Sequence, residues 1–406
     1  MARLLAVSVA SFLIVAACNE DSTSPSSPEG GLSASAATST TLQFRQITAW
    51  AFPGTGGHTC GVTTEDLAYC WGANDWGELG NGAESATSCG NPCETRPVPV
   101  AGGLRFKHLS AGGRFTCGIT TTNQAYCWGR NSEGQLGDGT GNISHKPVRV
   151  AGGRQFKQIR AGEAHTCAIT PANEAYCWGW NGDGQLGDGT RNQRFTPVKV
   201  AGGLSWFQLS GGYAHTCGTT TTNRAYCWGS NLDGMVGDGT TIRRLKPTAV
   251  TGGFAFQRVD AGRNHTCGVT TTGRAYCWGG NGSGQLGNGN RYEFHKPTLV
   301  SGQHSFDHLS AGDFHTCGMT IHGGGLCWGN NAAGQLGTGN IGSTRLTPTR
   351  VAGNLVLTQI VATFGYSCAV TGGRTAYCWG DNGSGQIGDG TSGNLRPSPT
   401  RVVSPG

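Results

Sequence analysis

Seven Cys-x9-Cys pairs, each ending in Cys-Trp-Gly, recur about 50 residues apart: Cys60 and Cys70, Cys117 and Cys127, Cys167 and Cys177, Cys217 and Cys227, Cys267 and Cys277, Cys317 and Cys327, and Cys368 and Cys378. A period of roughly 40 to 50 residues with strand-like content marks a propeller or a similar array, in which each repeat hides its apolar face against the next. Composition points to an all-β class, since Gly is 71 of 406 residues, charged residues are 13% and no long helical period appears. The net charge of +6 is small and scattered, which argues against a nucleic-acid partner.

The other three of the 17 cysteines have separate explanations. Residues 1–17 combine Arg3, an apolar run from Leu4 to Val15 and small residues before Cys18, which reads as a secretory signal. The run is too short for a membrane span. Val15-Ala16-Ala17-Cys18 resembles a bacterial lipobox, which implies a lipidated Cys18, and Asn19 rather than Asp implies the outer membrane or cell surface. Residues 18–41 are rich in Ser, Thr, Pro and Ala and cannot build a core, so a disordered tether of about 25 Å root-mean-square span is expected. Export permits disulfides, and the seven pairs are expected to be linked, as are Cys89 and Cys93 in an insertion of the first repeat. Residues 42–406 hold the repeats.

Overlaying the repeats predicts four strands, in the second repeat Phe106 to Ala111, Thr116 to Thr120, Gln124 to Gly129 and Pro147 to Val150, here termed A to D. Pairing B with C sets Cys117 opposite Cys127 and leaves a three-residue loop whose last residue must tolerate the left-handed conformation. Asp66, Asn123, Asn173, Asn223, Gly273 and Gly323 suit that place; in the seventh repeat, Gly372-Gly373-Arg374 is expected to shift the turn. The register puts Tyr126 and Trp128 on the face away from the disulfide, with small Gly118 making room for the tyrosine ring. Seven tryptophans, Trp71, Trp128, Trp178, Trp228, Trp278, Trp328 and Trp379, are expected to pack between neighbouring sheets. The hairpin disulfides brace a core poor in large side chains.

Metal binding by His58, Cys60 and Cys70 is disfavoured because Phe115 and Tyr366 replace the histidine in repeats that keep both cysteines. His58, His165, His215, His265 and His315 are expected to make structural hydrogen bonds. Gly182, Gly184 and Gly187 match G-x-G-x-x-G, but no helix follows to hold a pyrophosphate, and Gln185 breaks an EF-hand pattern. No cofactor, metal or catalytic residue is expected.

The H-x-C hairpin, the Tyr-x-Trp-Gly strand and the Asn-x-x-Gly-Gln-Leu-Gly-x-Gly loop together resemble the regulator of chromosome condensation repeat family, over residues 42–403. The resemblance implies a seven-bladed β-propeller, and the cysteine variant suits secreted bacterial members. The founding member's nucleotide-exchange activity is not expected of an exported chain, and repeats two to six lack the inserted wedge that the resemblance associates with it. Relatives include β-lactamase inhibitors and plant ultraviolet-B photoreceptors, so the fold alone selects no function.

The A–B and C–D connections share one end of such a ring. Both first-repeat insertions fall there, about five residues between Trp50 and His58 and about seven between Gly82 and Pro97. So do Trp50, Trp76 and Trp180, the three of 11 tryptophans left over once the seven of the core set and Trp206, which replaces the strand-A aromatic, are set aside, and the variable positions Glu163, Tyr213, Arg263, Asp313 and Phe364. Trp, Tyr and Arg are residues that anchor protein interfaces. The expected function is therefore a monomeric, non-enzymatic binding scaffold for a protein. Glycan binding on the three tryptophans and inhibition of a secreted enzyme, the latter from family analogy, are alternatives. Arg96, Lys146, Arg194, Arg243, Arg244, Lys246, Lys296 and Arg396 are expected to form a solvated rim that protects sheet edges.

Overall fold

A computed structural model describes residues 42–52, 56–83, 85 and 87–406. The signal segment, Cys18 and the tether lie outside the described residues. Each repeat forms one four-stranded antiparallel sheet in the order A-B-C-D, so seven sheets make the seven blades of a β-propeller. In blade 2 the strands are Phe106–Gly112, Phe115–Thr120, Ala125–Gly129 and Ser144–Arg149. Strand D thus starts earlier than its apolar residues suggest, because its first residues pair with Gly129 across an irregularity in the register.

Cys117 faces Cys127, Gly118 faces Tyr126 and Thr116 faces Trp128. Every hairpin carries its disulfide: Cys60 is bonded to Cys70, Cys117 to Cys127, Cys167 to Cys177 and Cys217 to Cys227. In the remaining blades Cys267 is bonded to Cys277, Cys317 to Cys327 and Cys368 to Cys378. All seven join directly opposed residues of neighbouring strands, with Cα atoms 4.0 to 4.1 Å apart. Asp66, Asn123, Asn173 and Asn223 close their turns at φ of 60 to 65°, as expected. The seventh turn does not shift: Arg374 adopts φ 62° in the same place. Its amide donates to Thr371 O at 2.9 Å and its carbonyl accepts from Phe44 N at 2.8 Å, so pairing on both sides outweighs the cost of a left-handed arginine.

The disulfide face of each blade packs on the tryptophan face of the next. Between blades 2 and 3, for example, Cys117, Cys127 and Leu136 meet Phe156, Ile159 and Trp178, all fully buried. Gly118 makes room for a different ring from the one expected: a Cβ there would lie 2.7 Å from Phe106 Cδ1. The strand-A aromatic, not Tyr126, fills the space and packs at a tilt against Trp128, ring centres 5.7 Å apart.

A polar chain crosses each of these layers. Between blades 3 and 4, Trp228 Nε1 donates to Gln185 O at 2.9 Å, and Thr216 Oγ1 donates to the same carbonyl at 2.8 Å. His165 Nε2 lies 2.9 Å from Thr216 Oγ1. Because the hydroxyl proton is committed to Gln185, the imidazole must donate from Nε2. Its Nδ1 is then a bare, buried lone pair without a partner, as it is in His215, His265 and His315. Burial accordingly lowers these rings to about 3 or 4. Tyr366 takes the histidine's place in blade 7, bonding Thr59 Oγ1 at 2.9 Å. The histidines are structural, and so is the Gly-rich loop, whose Gly187 at φ 69° lets Trp228 Nε1 approach to where a Cβ would stand.

Strand A lines a central channel and would leave its free edge unpaired. Side chains of the preceding blade cap it: Gln46 binds both Leu109 N and Leu109 O at 3.0 Å, and Ser210 Oγ accepts from Ala261 N at 3.0 Å. The ring closes in the same way, with Gln359 bonding Ile47 N at 2.8 Å and Ile47 O at 2.7 Å. Among the described residues no strand is exchanged between the first and last repeats.

Candidate functional site

At the A–B/C–D end, each tight A–B loop bonds the next. Gly113 N, Glu163 N, Tyr213 N, Arg263 N and Asp313 N donate in turn to Gly162 O, Gly212 O, Gly262 O, Gly312 O and Thr363 O, at 3.0 to 3.3 Å. The glycines are required by this close approach, since a Cβ on Gly212 would stand 2.5 Å from Gly262 O. The result is a backbone necklace around the channel mouth from blade 2 to blade 7. Its donor positions display the side chains that vary between repeats.

Those side chains form one arc. Arg114 and Arg130 place their guanidinium groups 5.7 and 6.0 Å from the Trp76 ring centre. Arg130 pairs with Glu163 at 3.6 Å. Arg263 stacks 4.8 Å from the Tyr213 ring and pairs with Asp313 at 3.3 Å, while Phe314 packs edge-on to Phe364 at 5.9 Å. The structure thus joins Trp76, Glu163, Tyr213, Arg263, Asp313 and Phe364. Trp50 is elsewhere, half-buried at the end of strand A in the channel wall, and Trp180 covers Gly182. The indole Nε1 atoms of Trp50 and Trp76 are buried and unpartnered.

The arc is partly desolvated. The Asp313 carboxyl is 12% exposed, and burial raises it to about 6 against the pull of Arg263. Burial likewise raises Glu163 against Arg130, and the Tyr213 phenol. Beside Trp76, Glu78 stands where most repeats have Gln; it is fully buried and raised to about 7, again by burial. Burial thus disfavours the charged forms, and Glu163 and Asp313 recover part of that cost from a paired guanidinium.

Cys89 and Cys93 are bonded in the first-repeat insertion at the same end. On the rim, Arg194, Arg244 and Arg396 pair with Asp188, Asp238 and Asp389 at 2.6 to 2.9 Å, and Arg243 pairs with Asp183 at 2.5 Å. Much of the rim charge is therefore internally matched. The channel, of about 440 Å³, is lined by Arg45, Arg160, Arg258, Asp260 and Asp307; Arg45 pairs with Asp66 at 2.6 Å, and Ser210 donates to Asp260 at 2.5 Å. Among the described residues no cluster of three His, Cys, Asp or Glu could hold a metal.

Arg114, Arg130 and Phe314 belong to the site although they are not among the positions expected from the loops. Their signal is present in the sequence, since they too occupy positions that differ from repeat to repeat. The channel residues Arg160 and Asp260 stand where other blades have Ser110, Ser210 and Ser310.

Seven four-stranded blades around a polar channel, with a varied loop face at one end, define a β-propeller of the repeat-built class. Residues 56–306 match the RCC1-like domain, and residues 357–386 match the regulator of chromosome condensation (RCC1) repeat; the chain belongs to the RCC1-like domain family. A stretch of 80 residues is 31% identical to the probable E3 ubiquitin-protein ligase HERC4 of Rattus norvegicus, covering 20% of this chain and 7% of that protein. Another of 82 residues is 32% identical to the ultraviolet-B receptor UVR8 of Arabidopsis thaliana, covering 20% and 18%. Only a small part of either relative is spanned. Human WBSCR16 superposes with a TM-score of 0.75 at 20% identity, over 84% of this chain and 96% of that one. Yeast RCC1 (Prp20), solved with Kap60, gives 0.73 at 21% identity, over 83% of each. At such identities the likeness concerns the fold.

Proposed function

We propose that this chain is a non-enzymatic, extracytoplasmic binding scaffold that takes a protein partner on its A–B/C–D face. The observation that carries this reading is the arc from Trp76 to Phe364: half-buried aromatic and charged side chains, varied between repeats, on a backbone necklace that does not vary. Buried Trp, Tyr and Arg at the centre of a face are the usual anchors of protein interfaces. Two solved structures of the same fold support a binding role, since yeast RCC1 is seen bound to Kap60 and Prp20p is described with binding properties to Gsp1p and histones. A sugar platform on Trp50, Trp76 and Trp180 has less support, because two guanidinium groups cover Trp76 and the other two rings stand apart.

Eight disulfides among the described residues fit an oxidising, extracellular setting. The lipid anchor at Cys18 belongs to the proposal, and Cys18→Ser should move the protein from the membrane to the soluble fraction. The binding reading is tested by crosslinking in cells. Replacing Trp76, Tyr213, Arg263 and Phe364 by Ala should abolish the crosslinked partner while the melting transition is kept. Undiminished capture would refute it.

A further inference from the structure

One contact between neighbouring C–D loops reverses its charge along the ring. In blades 3 and 4, Asp183 pairs with Arg243 at 2.5 Å. Fifty residues on, the same two places hold Asp233 and Glu293. Two carboxylates therefore occupy the places that an ion pair fills in the preceding interface, close enough for the Glu293 charge to act on Asp233. Among the described residues neither is paired with an Arg or Lys; Glu293 has only His295 at 3.4 Å, and Asn264 bonds Asp233.

A groove opens at this point. It holds about 470 Å³ and is bordered by Asp233, Glu293, Tyr292, Phe314 and Asn264. Its floor exists because Gly280 and Gly282 carry no side chain; blade 3 has Trp180 where blade 5 has Gly280. A Cβ on Gly282 would meet nothing within 4 Å, and one on Gly280 would stand 3.4 Å from Asp233 Oδ2, so this carboxylate overhangs the floor. Tyr292 is 77% exposed, the most exposed large apolar side chain among the described residues. Arg291 borders the groove too, but its guanidinium donates to Gly282 O at 3.1 Å. Two carboxylates against one guanidinium leave a net negative charge. Burial and the Glu293 charge raise Asp233, and His295 and the Asn264 hydrogen bond offset only part of that.

Carboxylates set between aromatic rings recognise a cation with a flat or apolar body. We infer that the groove between blades 4, 5 and 6 receives an arginine side chain of the protein partner, which supplies the guanidinium that blade 5 itself does not. The fork of an arginine can bridge Asp233 and Glu293 while its plane lies against Tyr292. This inference rests on the protein-binding reading and adds the chemistry of one partner residue.

The test uses the full chain and Nα-acetyl-arginine amide, followed by NMR titration, with the neutral isostere Nα-acetyl-citrulline amide as the control. Saturable binding of the arginine compound is expected, about tenfold or more tighter than citrulline and weakening with salt. Glu293→Arg, which restores the ion pair of the preceding interface, should remove the binding. Asp233→Asn should weaken it about three- to tenfold, and because it changes a single charge it serves if the first variant is poorly folded. Equal binding of citrulline, no saturation, or unchanged affinity in both variants would overturn the inference. If the crosslinked partner is lost on replacing Trp76, Tyr213, Arg263 and Phe364 but kept in Glu293→Arg, the groove assignment fails and the face assignment stands.

Discussion

Between the blades one set of contacts is repeated seven times, whereas at the channel mouth a single backbone position carries a different side chain in almost every blade. The interblade layers use a disulfide, a tryptophan and a carbonyl that accepts two hydrogen bonds, all fully buried. The mouth uses Gly113, Glu163, Tyr213, Arg263, Asp313 and Phe364 on the same turn. The difference separates what holds the ring from what is free to specialise. Each layer depends only on its neighbours, as in other repeat arrays, so uniform layers tolerate a non-uniform face.

The largest test of this contrast is acidification. His58, His165, His215, His265 and His315 are neutral in the fold, at about 3 to 4, but near 6.5 when unfolded. The unfolded chain then binds more protons as pH falls below about 6.5, so stability is present above that value and is lost progressively toward about 3. Asp313 and Glu78 act in the opposite sense, because their raised values favour the folded, protonated form below about 6 and 7. His108 adds a sixth lowered histidine, and Asp75, Glu163, Asp233 and Asp260 are raised like the two acids; the histidines, which are fully buried, should still prevail, and urea midpoints should fall from pH 7 to pH 4. His215→Phe, which copies Phe115 of blade 2, should lessen that slope. A slope unchanged by it would mean that the layers do not set acid stability.

Next in size is Trp228→Ala, which opens a cavity and removes the donor to Gln185 O. A loss of about 3 to 5 kcal/mol is expected, against about 1 to 2 kcal/mol for Arg263→Ala at the mouth, which leaves the largely buried Asp313 carboxyl without its partner. Comparable losses in equilibrium unfolding would erase the distinction. Replacing Cys217 and Cys227 together by Ala should cost about 2 to 3 kcal/mol or less and leave the crosslinked partner unchanged. The smallest effect on stability, and the largest on binding, is expected from Trp76→Ala, which should diminish capture while shifting the melting temperature little.

Much of the ring is legible in the sequence because its signals are local. The Cys-x9-Cys spacing and the left-handed residue of the turn, such as Asn123, both report on one short hairpin, and they agree on one register. Within that hairpin Gly118 reads as space for Tyr126, because only that pair is visible there; Phe106, which fills the space, comes from strand A. Trp50, Trp76 and Trp180 are equivalent in the sequence as tryptophans left over from the core. Arg114 and Arg130 single out Trp76, and they come from the neighbouring blade.

By itself the sequence determined the number of blades, the strand register within each and the residues held constant to pack them, because these depend on side chains close together in the chain. Tertiary structure alone decided which varied side chains touch. Arg263 meets Asp313, the charge of Glu293 reaches Asp233 and Gln359 closes on Ile47 across gaps of 50 residues or more. Those contacts arise only when the blades stand side by side around the channel, where the direction of each loop, rather than its composition, sets its neighbours.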